Sequence, residues 1–178
     1  MVQHQRTSLS LWKMVSICLL VILAFRVIFI SNYVVEGHSM NPTLSDGHHV
    51  SVNTLIYTFQ KPERFDIVVF QQGKQKQTFV KRVVGLPGEK LEYKNDTLYI
   101  NDEPVHENFL KDVSKNVVIG NFTGDFSLKE LTGKERVPKG HVFVVGDNRL
   151  GSFDSRHFGF VKIEDLIGKA NVRTWQNQ

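Results

Sequence analysis

A chain of 178 residues, 41% hydrophobic and 22% charged, is long enough for one folded domain with an appendage and too apolar to be disordered. Its formal charge of +4 comes largely from the N-terminus: Arg6, Lys13 and Arg26 precede the first acidic residue, Glu36, and the rest carries 19 basic against 18 acidic residues. A nucleic-acid-binding domain would hold its basic excess on the folded part, so no nucleic-acid partner is expected, and a single cysteine, Cys18, rules out a disulfide framework or a cysteine-based zinc site.

Residues 1–10 form a short N-terminal segment. The run that follows, "LWKMVSICLLVILAFRVIFI" over residues 11–30, has only Ser16 and Arg26 as polar residues from Met14 onward. About 19 helical residues at ~1.5 Å each reach ~28 Å, close to a bilayer core. Arg26 sits towards one end, where its long stem can carry the charge to the interface. A cleavable export signal is the alternative, but the bulky "FISNYVVEG" offers no small-x-small cleavage site. The expectation is an uncleaved transmembrane anchor. Arg6 and Lys13 precede it and no Lys or Arg occurs between Val27 and Gln60, which puts the N-terminus in the cytoplasm and residues 31–178 outside.

Beyond the anchor the pattern is mostly strand. "HHVSVN" (His48–Asn53) alternates weakly, and "FDIVVFQ" (Phe65–Gln71) reads as a buried strand. "QTFVKRVVG" (Gln77–Gly85) ends in the turn-like "GLPGE", and "KLEYKNDTLYIN" (Lys90–Asn101) reads as a hairpin turning at Asn95 and Asp96. "HVFVVGDN" (His141–Asn148) is a strand that stops at Gly146. About 103–139 the chain is polar and weakly patterned, as an inserted subdomain would be. The fold expected is mainly β: a single N-terminal transmembrane helix, then an antiparallel β domain with a smaller inserted region.

Three segments carry chemistry. "GHSMNPTL" presents Ser39 in a Gly- and Pro-marked turn just after the anchor, and a serine nucleophile needs a group to take its proton. His38 is its neighbour, but neighbours in an extended segment point to opposite faces. His48 and His49 fall in a strand and face solvent, while His141 and His157 flank "GDNR" and stay open as bases. No His-Glu-x-x-His spacing exists, which argues against a metalloenzyme, and "GLPGEK" lacks phosphate-loop spacing. Lys81, in "TFVKRVVGLPG", shares a strand face with Phe79 and Val83. Its amine either snorkels out at an edge or is partly buried, and burial would disfavour the ammonium. To act as a base near neutrality it must lose roughly 3 units from ~10.4, or ~4 kcal/mol. The third segment, "GDNRLGSFDSRHFG" (Gly146–Gly159), packs complementary charge and glycine into one loop.

In this order the anchor, "GHSMNPTL", "DIVVF", "KRVVGLPGE" and "GDNRLGSFDSR" resemble the type I signal peptidase family, over roughly three fifths of the chain. The short anchor and small domain are similar to its Gram-positive branch. The resemblance implies a membrane-anchored serine endopeptidase that cleaves signal peptides from exported preproteins with a Ser-Lys dyad and no cofactor or metal. It implies Ser39 as nucleophile, Lys81 as general base, and Ser152 as the hydroxyl that orients the lysine. Asp154 and Arg156 would be an ion pair beneath the site, and Arg82 with Asp147 a further structural pair. The implied partners are preproteins with small residues at the first and third positions before the cut, and the membrane lipid surface. Two departures stand out. Gly37 replaces a serine that in Gram-negative members donates to the oxyanion, and Phe65 stands where the family usually has glycine. A self-cleaving repressor-type Ser-Lys protein and a catalytically inactive relative acting as a binding or scaffold protein are the alternatives. The anchor argues against the first, and the presence of both Ser39 and Lys81 against the second.

Overall fold

The computed structural model describes residues 11–110 and 122–171, with the side chains of residues 23–28 left aside. The described residues open with helix α1 (Leu11–Phe29), which passes at Ile30 directly into strand β1 (Ile30–Val34). The anchor expected over 11–30 therefore loses its last residue to the sheet. Among the described residues, no helix is long and apolar enough to cross a membrane. The N-terminal segment 1–10, with Arg6, lies outside the described residues.

Ten further strands follow: β2 (His49–Asn53), β3 (Ile67–Gln72), β4 (Gln77–Gly85), β5 (Leu91–Lys94), β6 (Thr97–Ile100), β7 (Glu103–Val105), β8 (Phe126–Ser127), β9 (His141–Val145), β10 (Val161–Lys162) and β11 (Leu166–Asn171). Every pairing is antiparallel. One sheet has seven strands in the order β1-β2-β11-β3-β4-β9-β10, and a second has four in the order β7-β6-β5-β8. This is the mainly β antiparallel fold expected from the sequence. The smaller sheet draws β5 and β6 from before residue 103, because the Lys90–Asn101 hairpin is its centre. Residues 111–121, inside the region 103–139, lie outside the described residues.

The patterning explains the layers. Along β3, Ile67 and Val69 face a cluster with Met40, Leu44, Val50 and Val52, while Val68 and Phe70 face another with Val83, Val142 and Val144. A strand covered on both faces has no polar alternation to show, hence the unbroken "IVVF". The β5–β6 hairpin turns at Asn95 and Asp96, with φ of 48° and 59°, the left-handed pair that a two-residue turn of matching twist requires. A third cluster, with Val84, Tyr93, Leu98, Phe143 and Val145, lies between the two sheets.

β11 closes the large sheet by bridging β2 and β3, and its register slips between Leu166 and Gly168. Gly168 permits this approach: a Cβ there would lie 2.3 Å from the Asn53 carbonyl oxygen and 2.8 Å from Val52 Cγ1. The obstacle is backbone inside a sheet, which cannot swing aside. Gly168→Ala should therefore cost about 2–3 kcal/mol. The check is the urea midpoint at unchanged m-value, and a midpoint equal to the parent's would contradict this packing.

Candidate active site

Ser39 lies on a loop closed at its base by Val35 N–H donating to His48 O (2.9 Å) and Gly47 N–H donating to Val35 O (2.8 Å). Gly37 turns the chain at φ +82°, and its N–H donates to Asp46 Oδ1 at 2.7 Å. After the serine, Asn41 N–H returns to His38 O (3.2 Å) and Leu44 N–H to Met40 O (3.0 Å). Met40 and Leu44, 0% and 2% exposed, sink into the cluster under β2 and β3. Two buried side chains flanking one helical turn thus fix the loop that presents Ser39.

The second element is β4. β9 pairs with it from Arg82 onward and ends at Val145, so the loop starting at Gly146 begins level with Lys81. That loop grips the serine through backbone: Asn148 N–H donates to Ser39 O and Asn148 Nδ2 to His38 O, both at 3.1 Å. Gly146 is in contact with both partners. A Cβ on it would lie 2.4 Å from the Ser39 carbonyl oxygen and 2.2 Å from Ser152 Oγ. Only glycine tolerates that approach.

Lys81 is buried, 3% exposed, rather than snorkelling from an edge. Its Nζ lies 2.7 Å from Ser39 Oγ and donates to Val80 O at 3.0 Å, with the Phe79 ring centre 5.6 Å away. Burial outweighs the charges of Asp154 and Asp147, which favour the ammonium, and brings the amine from its ordinary 10.5 down to about 8.

Both carboxylates are themselves engaged. Asp154, 0% exposed, accepts from Arg156 Nε (2.9 Å) and Nη2 (2.8 Å) and from Gly146 N–H (3.0 Å). Burial raises its pKa, but the Arg156 guanidinium and the Gly146 N–H prevail and hold the carboxyl below the usual range. It also caps the short helix Ser155–Phe158. Asp147 accepts from Arg82 Nε (2.8 Å) and Nη2 (2.6 Å), and from the Thr43 hydroxyl.

A model of the family described as "Signal peptidase, peptidase S26" matches residues 8–175. The chain is 52% identical to signal peptidase I of Bacillus caldolyticus over 161 residues, which are 90% of this chain and 87% of that one. It is 49% identical to signal peptidase I V of Bacillus subtilis strain 168, over 83% of this chain and 89% of the relative. A crystal structure of a signal peptidase I from Enterococcus faecalis V583 overlays with a TM-score of 0.59 at 47% identity, covering 62% of this chain and 97% of that one. The chain belongs to the signal peptidase family, peptidase S26. It is thereby a peptide-bond hydrolase.

Against this family background, the residues singled out from the sequence come together with one difference. The fold brings Ser39, Lys81, Arg82, Asp147, Ser152, Asp154 and Arg156 to one place, but the hydrogen bond implied between Ser152 and the lysine is not formed. The Lys81 amine is satisfied by Ser39 and Val80, and the buried Ser152 hydroxyl acts on the Asp154 carboxylate instead. No histidine nitrogen is bonded to Ser39 among the described residues. His141 Nδ1 contacts Lys139 O at 3.0 Å, and His157 Nδ1 accepts from Asp154 N–H at 3.4 Å as part of a helix cap. The Gly37 N–H is committed to Asp46, so this departure supplies no free donor in place of the missing hydroxyl.

Phe65 adopts φ 71°, the left-handed region that glycine occupies without cost, which accounts for the family's usual glycine there. Here the phenylalanine is held by an edge contact to Phe109, with ring centres 5.2 Å apart. Sequence reasoning also missed Arg149. It is fully buried, donating to Tyr93 Oη (3.0 Å), Thr123 Oγ1 (3.0 Å) and the Glu107 carboxylate, and so ties the site loop to the small sheet. These three partners lie 26 to 56 residues away, a separation that no local motif signals.

A buried lysine whose folded pKa lies below its unfolded value binds fewer protons folded than unfolded. It therefore opposes folding fully below about 8 and ceases to do so as pH rises towards 10.5. Lys81→Met should consequently stabilise the protein at pH 6–7, by up to about 3 kcal/mol, with the gain fading above pH 9. Thermal unfolding at several pH values measures it, and a variant less stable than the parent at pH 6 would refute the burial cost.

Proposed function

We propose that this chain is a membrane-attached serine endopeptidase that removes N-terminal signal peptides from exported preproteins, with Ser39 as nucleophile and Lys81 as general base. The observation that carries the reading is the 2.7 Å contact between the Ser39 hydroxyl and a buried amine brought down to about 8. In its neutral form that amine accepts the hydroxyl proton as Ser39 Oγ attacks the scissile carbonyl carbon. The resulting ammonium then protonates the leaving amine. Water, deprotonated by the same amine, releases the acyl group from Ser39. The Ser39 backbone N–H is the donor proposed for the developing oxyanion. This chemistry needs no metal or cofactor.

The relatives named signal peptidase I support the substrate class. An extended substrate segment would lie along the strands that carry the site, with small side chains admitted next to the cut. Membrane attachment rests on α1, whose described side chains from Leu11 to Ile22 are largely apolar and exposed, Trp12 at 81% and Leu19 at 66%. Under this reading Lys13 in α1, with Arg6 earlier in the sequence, would put that end in the cytoplasm and the catalytic domain outside. Leu150 and Phe153, 72% and 58% exposed, lie on the loop that carries Asp147 and Ser152 and offer the lipid surface a second contact.

A preprotein cleavage assay on the full-length chain in detergent, beside Ser39→Ala, tests the reading. kcat/KM should rise with pH to a plateau, with its acid limb centred near 8, because the base works only when unprotonated. Lys81→Arg, which stays protonated throughout, should lose at least about 10³-fold, and Lys81→Met should do the same. Replacing His141 or His157 by Gln should leave the limb in place. Turnover that survives Lys81→Met but not His157→Gln would put a histidine in the base's role.

A further inference from the structure

The requirement on Lys81 is severe on its surroundings. Two carboxylates act on its amine, from the loop that follows β9, and both favour the ammonium. Asp154 is answered by Arg156, the Gly146 N–H and the Ser152 hydroxyl. Asp147 is answered by Arg82, and the Arg149 guanidinium also acts on it. Arg82 is not free to do more, since its Nη1 donates to Phe65 O at 2.9 Å and its face lies 3.8 Å from the Phe109 ring centre. One further donor remains on Asp147. Thr43 Oγ1 donates to Oδ2, the oxygen that also takes Arg82 Nη2, and that same Nη2 approaches Thr43 Oγ1 at 3.4 Å.

Thr43 is placed for this by the nucleophile's own loop. Four residues after Ser39, it lies within the turn closed from Met40 to Leu44, whose two end side chains are buried. The methyl-bearing side chain is half-buried, so water does not simply replace the hydroxyl against a carboxylate that is 0% exposed. Neither the hydroxyl nor its acceptor touches the reacting atoms. A hydrogen bond donated to a carboxylate delocalises part of its charge and lowers its attraction for a nearby cation.

We propose that Thr43 is a positioning residue of this site, whose hydroxyl, donated to Asp147, restrains the carboxylate's field so that the Lys81 amine can serve as a base. The inference rests on the Ser-Lys reading for its consequence in catalysis, but the effect on the amine itself is separate from it. Thr43→Val keeps shape and removes the donor. The Lys81 amine should then titrate higher, by about half a unit or more, while Thr43→Ser, which keeps the hydroxyl, should return the midpoint to the parent's.

The test is a pH titration of Lys81 Cε by NMR on the full-length chain in detergent with labelled lysine, the resonance being assigned by its loss in Lys81→Met. The acid limb of kcat/KM is recorded in parallel. A raised midpoint and limb in Thr43→Val, with turnover recovering towards the parent's at pH 9.5 and both restored by Thr43→Ser, is the result expected. An unmoved Lys81 midpoint in Thr43→Val, or the same displacement in Thr43→Ser, overturns the proposal, as does a loss of turnover equal at every pH. If Thr43→Val does not fold, Thr43→Ala takes its place, and failure of both would make the hydroxyl a folding requirement and overturn the proposal as well. A midpoint that moves while the limb stays would uphold the action of Thr43 on the amine and refute Lys81 as the base.

Discussion

The fold around Ser39 is organised by one demand: a lysine amine must lie in the interior without a carboxylate of its own. An ammonium stripped of water is unstable unless paired, and a paired lysine keeps its proton and cannot accept another. The structure meets both sides of that demand. Val80 O and Ser39 Oγ, both uncharged, are the amine's partners, and each nearby aspartate is occupied by an arginine. Arg82 follows Lys81 in β4 and Arg156 lies two residues beyond Asp154, so both cations are delivered by the same segments that bring the problem.

Bringing the serine to that amine is a matter of backbone contact. The Ser39 loop is anchored from below by Met40 and Leu44 and from the side by Asn148 N–H. Gly146 has no side chain because the Ser39 carbonyl and the Ser152 hydroxyl occupy the space. The Gly146 N–H in turn donates to Asp154, so one residue touches the Ser39 loop, Ser152 and the buried ion pair together. Flexibility is not what this glycine contributes; it admits close packing between segments more than a hundred residues apart.

Much of this could be read in the sequence because its determinants are local. β4 was predicted at its observed bounds because it combines β-branched residues with the turn that ends it, and the Asn95–Asp96 hairpin because both positions require positive φ. β1, "ISNYV", shares only Ile30 with the apolar run, and its polar Ser31 and Asn32 leave too weak a pattern to register. β11, "LIGKAN", has too few apolar residues to register, and its place between β2 and β3 is set by Gly168 and the partners it approaches. The site's charged residues stood out as a cluster in "GDNRLGSFDSR", yet the segment gave no sign that Arg149 turns away to Glu107 and the small sheet. Nor could the pattern decide whether the Lys81 amine is buried. That depends on β9 pairing with β4 from Arg82 and on the loop that then folds over the lysine.

Buried ion pairs are a poor source of stability, and a well-packed apolar group in place of Asp147–Arg82 or Asp154–Arg156 would stabilise the interior at least as well. Their retention has a different physical basis here. Each aspartate uses its second function to place backbone: Asp154 caps a helix and holds Gly146 N–H, and Asp147 takes the hydroxyl of the Ser39 loop. An apolar residue could fill either volume but could not accept those hydrogen bonds, and the loops they fix are the ones that hold Ser39 within 2.7 Å of the amine. The arginines then follow of necessity, because a carboxylate used as a structural acceptor beside a buried lysine amine, whose pKa is already drawn down, must have its charge answered from elsewhere. The ionic character of the site is thus a consequence of positioning by hydrogen bonds, and its cost in stability is carried for geometry.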